Sequence, residues 1–259
     1  MIGLLDLSIL TSVQPDGRFW AAVAIAAVAG FVRGFSGFGS ALIYVPSVAA
    51  IFEPQIAAAT LLMIDVVCGI AFAVREVPRC NWSEVVPITI AAIVAIPVGT
   101  IALLVVDPTI LRWVIAIFVL AMISVIAAGW RYHGPHVRPI AVGAGLMAGF
   151  FGGAFQMEGP PAVLFWLGGD KSASLVRANL MVFIALAGIA MFTVYAIAGL
   201  LTREAIGLSF WLFWPFVLAM AIGARLFRFA SEHTYRRVAY ILIYLAAVAS
   251  LPIFDSWLR

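Results

Sequence analysis

The sequence predicts an all-α polytopic membrane protein made of two inverted four-element repeats. Each repeat is a re-entrant broken-helix hairpin followed by three transmembrane helices. Three observations carry this expectation. The 259-residue chain is 65% hydrophobic and 10% charged, with a mean hydropathy of +1.14, whereas a soluble domain is roughly 45–50% apolar and about 25% charged. Its apolar runs are continuous rather than alternating, which favours helices over a barrel. Two of the eight runs are interrupted by glycines, and they occupy matching places in two halves of the chain.

In chain order the apolar segments are 19–51, 55–74, 83–106, 109–129, 138–168, 173–199, 204–224 and 235–254. They are separated by Glu53-Pro54, Arg75 to Arg79, Asp107-Pro108, Arg131 to Arg138, Asp170-Lys171, Arg203-Glu204 and Arg225 to Glu232. Six have ordinary span lengths. As one helix, the first would be about 50 Å long, against a hydrocarbon core of about 30 Å. It is also too short for two spans and a turn. Two half-length helices meeting at the tip "GFVRGFSGFGS" (30–40) are expected instead, and the fifth segment repeats the pattern around "GFFGGAFQMEGPP" (149–161). Pro87, Pro97 and Pro215 fall within spans as kinks, and Trp20, Trp82, Trp113, Trp130 and Trp257 near segment ends read as interface anchors. The whole chain, 1–259, reads as a single membrane domain with repeat 1 at 19–129 and repeat 2 at 138–254.

A shift of 119 residues lays "AGFVRGFSGFGS" (29–40) over "AGFFGGAFQMEG" (148–159) and "AAATLLM" (57–63) over "VRANLMV" (176–182); a shift of 124 lays Arg112 over Arg236. Charge tests the topology. Eight simple spans, the alternative architecture, put seven basic residues on each side, whereas two hairpins and six spans put ten on one side and four on the other, with Arg33 left inside. Only the second arrangement obeys the positive-inside rule. It makes the halves inverted copies, puts both termini outside the cytoplasm, and suits a multi-pass protein of the inner or plasma membrane.

Irregular backbone at membrane depth is tolerated only where protein covers it or it lines a watery cavity. Beyond each tip a new helix begins, and its free amides and dipole favour an anion. Matching broken segments are the best sequence pointer to a transporter's central site. The candidate substrate-binding residues are therefore Arg33, Ser36, Gly37, Gly39 and Ser40 at the first tip, and Gln156 and Gly159 at the second. Thr60 and Asn179, equivalent on the 119 shift, and Arg177 complete the set. Asp65 and Glu158 are intramembrane carboxylates, placed for coupling or for pairing with the arginines. Close helix packing through Gly30-xxx-Gly34, Gly145-xxx-Gly149 and Gly149-xxx-Gly153 is the plainer account of the glycines, and a buried ion pair that of the charges.

At these residues the chain resembles the TauE/SafE family of sulfite-exporter-like membrane proteins. The likeness rests on "GFVRGFSGFGSALIYVP" and "GLMAGFFGGAFQMEGPPAVLFWL", on the following "AAAT" and "RAN", and on "IPVGT … LRW" and "AIGARL … YRRV". The resemblance implies a transporter of small sulfur-containing or organic anions, such as sulfite or sulfonates, working outward from the cytoplasm. Family members often have a more glycine-rich second opening; here Phe155, Gln156, Met157 and Glu158 interrupt it.

A net charge of +3 is too small to point to nucleic acid. Cys68 and Cys80 make no disulfide framework, the His133/His136 pair reads as solvated surface, and neither a metal nor a cofactor is expected. The first 17 residues lack a basic n-region and a cleavage site, so no signal peptide is read. The "GFSG" stretch (34–37) has the form of an intramembrane serine protease, but a serine needs a base, and His133, His136 and His233 all lie at segment edges. The expectation is a transporter and not an enzyme, with an anion channel or a structural subunit as alternatives. Its partners are a small anion and the lipid bilayer, and a homo-oligomer stays open.

Overall fold

The computed structural model describes residues 15–36, 39–128, 138–166, 172–226, 241, 243–248 and 251–254. Among the described residues there is no strand, and nine helices of eight or more residues follow one another. They are α1 (Gly17–Ser36), α2 (Ser40–Ile51), α3 (Pro54–Glu76), α4 (Trp82–Val105), α5 (Pro108–Ala127), α6 (Arg138–Phe155), α7 (Gly159–Trp166), α8 (Ala173–Ile197) and α9 (Arg203–Leu226). Residues 243–248, within the eighth apolar segment, are helical too. Seven helices, namely α1, α3, α4, α5, α6, α8 and α9, are long and apolar enough to cross a membrane. The protein is an all-α polytopic membrane protein.

The polar separators set the helix ends. Asp16 Oδ1 accepts from Phe19 N–H (2.9 Å) at the head of α1, and Asp107 Oδ1 from Thr109 N–H (2.8 Å) at the head of α5. Asn81 caps α4, Ser172 caps α8 and Thr202 caps α9, each meeting an amide that the helix cannot satisfy. Pro54 and Pro108 take first-turn positions, where a missing N–H costs nothing. On α4, Ile90, Val94, Val98, Ile101 and Val105 form an exposed apolar stripe along the helix, the face such a helix turns to lipid.

Both interrupted segments break where the glycine-rich stretches predict, but the arms are unequal. The first arms, α1 and α6, have 20 and 18 residues, and the second arms, α2 and α7, have 12 and 8. The expectation of half-length helices is corrected for the first arms, which reach roughly 27–30 Å. The reason is a pair of glycine seams. A Cβ on Gly30 or Gly34 would overlap the backbone at Phe216 or Met220 of α9, and one on Gly223 would overlap Phe31. Likewise Gly145, Gly149 and Gly153 of α6 lie on the backbone at Ile88, Ala92 and Ile96 of α4, and Gly99 lies on Phe150. With the backbones this close, each first arm stays helical along its partner until the chain turns away. So α1 pairs with α9 and α6 with α4, each first arm docking on a helix from the other half. Between these pairs α3 lies against α8, with Gly188 facing Val66 and fully buried Ala57, Ala58 and Ala59 along α3.

Candidate functional site at the two helix breaks

The first break runs from the end of α1 to Ser40. Gly37 and Phe38, and the Ser36 side chain, lie outside the described residues. Gly39 has φ 96°, a left-handed conformation that suits glycine. Ser40 is buried and opens α2, so the amides of Ser40 and Ala41 have no acceptor within the helix. Near the end of α1, Arg33 Nε lies 3.1 Å from Asp65 Oδ1 of α3. Ser40 Oγ donates to the other carboxylate oxygen, Oδ2, at 3.4 Å. Asp65 therefore ties both arms of the first break to α3. Arg33 also borders a small cavity of about 30 Å³, lined by Gly34, Gly69, Phe72, Arg177, Met181 and Ile184 among others. By volume that holds about two waters. Gly69 of α3 lies beside the guanidinium, and a Cβ there would sit at an ordinary contact distance, 3.9 Å, from Nη2.

The second break is built differently. Gln156 has φ 59°, in a region that costs a non-glycine residue roughly 1–2 kcal/mol. Its N–H reaches Gly152 O (2.8 Å), and Met157 N–H reaches Phe151 O (3.2 Å). Tyr195 of α8 donates its hydroxyl to Gly153 O at 2.8 Å, with Thr100 of α4 3.4 Å from the same oxygen. The carbonyls freed where α6 ends are thus met from two neighbouring helices. The Gln156 amide reaches Met191 Sδ at 3.5 Å. Glu158 is 6% exposed and packs on Gly152, and its Oε2 has no hydrogen-bond partner among the described residues. It lies within electrostatic reach of Asp65 and Arg33, so the two breaks approach one another inside the protein. Gly159 opens α7, but Pro160 and Pro161 follow, and neither has an amide hydrogen to offer.

Of the predicted residues, Arg33, Ser40, Asp65 and Glu158 gather at this centre. Arg177, exposed on α8, joins Arg33 on the cavity wall. Thr60 and Asn179 are engaged elsewhere. Thr60 accepts from Tyr44 hydroxyl (2.9 Å) and bonds Ile56 O (2.7 Å). Asn179 Oδ1 accepts Asn81 N–H (2.7 Å), while its Nδ2 reaches Glu84 Oε2 at 3.4 Å, the oxygen that also receives Trp166 Nε1 at 3.2 Å. The sequence reading missed Tyr44, Tyr195, Glu84 and Trp166. Tyrosines within apolar spans were the available signal, because a buried phenol needs a partner.

A family model, Sulfite exporter TauE/SafE, matches residues 22–250. The chain belongs to the TauE/SafE family. No curated protein and no solved structure matches the chain. Family membership and the seven apolar helices make it a multi-pass membrane transporter of the sulfite exporter type. Its lipid-facing helices and its small anionic substrate follow from that family. The histidines that a protease reading of "GFSG" would call upon, His133, His136 and His233, lie outside the described residues.

Proposed function

We propose that this TauE/SafE protein exports a small sulfur-containing anion, sulfite or a sulfonate, by alternating access, binding it at the first break between Arg33, the head of α2 and Arg177. The carrying observation is that two arginines from separate helices, α1 and α8, line one cavity beside a broken helix. Arg33 holds Asp65, so an incoming anion competes with Asp65 for the guanidinium, while the Ser40 and Ala41 amides supply neutral donors. Asp65 keeps Arg33 satisfied between cycles, since an unpaired charge at this depth is costly.

The cavity's position supports export. Arg177 lies early in α8, and Gly69 and Phe72 lie late in α3, so the cavity lies nearer the end bearing Arg75, Arg79 and Arg225. Under the positive-inside rule this end is cytoplasmic. The arginine-lined entrance then draws anions from the cytoplasm, and a negative-inside potential favours the exit of whatever net negative charge crosses, by about 2.3 kcal/mol per charge per 100 mV. A cavity with room for only about two waters is smaller than the anion, so loading requires the arms of the first break to part.

The reading treats residues 19–129 and 138–254 as inverted copies in the plasma or inner membrane, with both termini outside. The exchange of partners, α1 with α9 and α6 with α4, supports it. The test is counterflow in proteoliposomes with sulfite, sulfate, thiosulfate, methanesulfonate and small carboxylates. A carrier accumulates labelled sulfite or methanesulfonate against an internal unlabelled pool. Fast flux without counterflow would indicate a channel, and no flux of any of these anions would defeat the proposal.

A further inference from the structure

We infer that Glu158 is the proton-binding group of the site, and that its proton travels with the anion; the inference rests on the anion site proposed at Arg33. Three ionisable side chains lie within electrostatic reach of one another here, the part-buried Arg33 and Asp65 and the buried Glu158, and only one is a cation. Arg33 and Ser40 are both committed to Asp65. Glu158 has neither. Its carboxyl accepts from its own backbone N–H, but Oε2 lies buried without a hydrogen-bond partner among the described residues, and a buried carboxylate with no cation bonded to it is costly to ionise.

The groups around it do not change this balance. From α8, Tyr195 faces it, but that hydroxyl is spent on Gly153 O. Arg177 of the same helix is exposed on the wall of the Arg33 cavity. The acid on α4, Glu84, is held by Trp166 and Asn179 in that helix's first turn, and the other charges on α3, Arg75 and Glu76, stand at its last turn. The head of α7 is a weak anion stabiliser, because Pro160 and Pro161 remove two of its first amide hydrogens.

A neutral Glu158 carries its own donor and adds no negative charge beside an anion at Arg33. An ionised Glu158 repels that anion. Proton and anion therefore strengthen each other's binding, and the linkage is reciprocal. The proton enters from water on the side to which the site is open, adds to a carboxylate oxygen of Glu158, and leaves to water on the other side. No other bond changes.

The test uses the purified full-length protein and methanesulfonate, whose charge is constant between pH 5.5 and 8.5. Anion affinity should fall about tenfold or more across that range, and Glu158→Gln should bind at the tight level with no pH dependence. Adding methanesulfonate to weakly buffered wild type should take up a proton in mid-range. Should Glu158→Gln fail to fold, Glu158→Asp should keep the pH dependence but move its midpoint. A wild-type affinity independent of pH with no proton uptake overturns the coupling and leaves anion transport standing. Glu158→Gln with full wild-type pH dependence, or Glu158→Asp with an unmoved midpoint, also overturns it. Should methanesulfonate not bind, sulfate, also of constant charge in this range, takes its place; absence of binding of both and of sulfite at every pH sinks the anion site, and this inference with it.

Discussion

The two breaks share a seam and differ in charge. Each first arm docks through glycines onto a helix of the other half, Gly30 and Gly34 on α9, and Gly149 and Gly153 on α4. At the turn itself the likeness ends. On the 119-residue shift Arg33 faces Gly152, Asp65 faces Ile184, and Gly39 faces Glu158. The first break owns the ion pair and the two amides that open α2. The second has a buried carboxylate whose Oε2 has no hydrogen-bond partner among the described residues, two prolines and a strained Gln156. The matching glycines thus set two similar seams, and the charges that the two breaks do not share set them apart.

The shared seam is the larger energy. Gly34→Ala and Gly153→Ala each push a methyl into backbone that cannot yield, and should destabilise by about 3 kcal/mol or more, read as a large fall in the melting temperature of detergent-purified protein. Gly143→Ala, with open space around it, should change little. If only one of Gly34 and Gly153 proves intolerant, the seams are not equivalent.

The unshared charges come next. Arg33→Ala strips the partner from a largely buried Asp65, at about 3–5 kcal/mol by analogy with other broken buried pairs. It should abolish sulfite or methanesulfonate flux in proteoliposomes. Arg33→Ala with Asp65→Asn should recover much of the stability without recovering flux. Recovery of both would reduce the pair to a structural clamp.

Arg177 should matter less, because it is exposed and screened. Arg177→Ala is expected to weaken anion affinity by about fivefold at low salt and hardly at all at high salt, measured by titration calorimetry at two ionic strengths. Smallest is Tyr195→Phe, which removes one of two donors to Gly153 O. A loss of about 1 kcal/mol in thermal stability is expected, with transport intact.

Much of this was legible in the sequence. The all-helical membrane class, the places where segments one and five break, and the odd charges at Arg33, Asp65 and Glu158 all come from hydropathy, glycine spacing and the cost of charge in lipid. The expected count of six spans did not foresee that α1 and α6 are themselves long and apolar enough to cross. Arm length was not legible. Gly30-xxx-Gly34 was read both as part of a tip and as a packing seam, and one dimension of sequence cannot say which helix a glycine faces. Thr60 and Asn179 show a similar limit. A small polar residue in an apolar run advertises a hydrogen bond but not its partner, and here the partners are Tyr44 for Thr60, and Asn81 and Glu84 for Asn179. Arg33 was more readable, because a cation among glycines at that depth needs a carboxylate, and Asp65 and Glu158 were the two that lie well inside a segment rather than at its edge.

The most direct test of the first break as the anion site is a thermal-shift titration of purified wild type, Arg33→Ala and Arg177→Ala with sulfite and methanesulfonate at constant ionic strength. Wild type should be stabilised in a saturable way, Arg177→Ala at higher concentrations, and Arg33→Ala not at all. Equal stabilisation of wild type and Arg33→Ala would contradict the account.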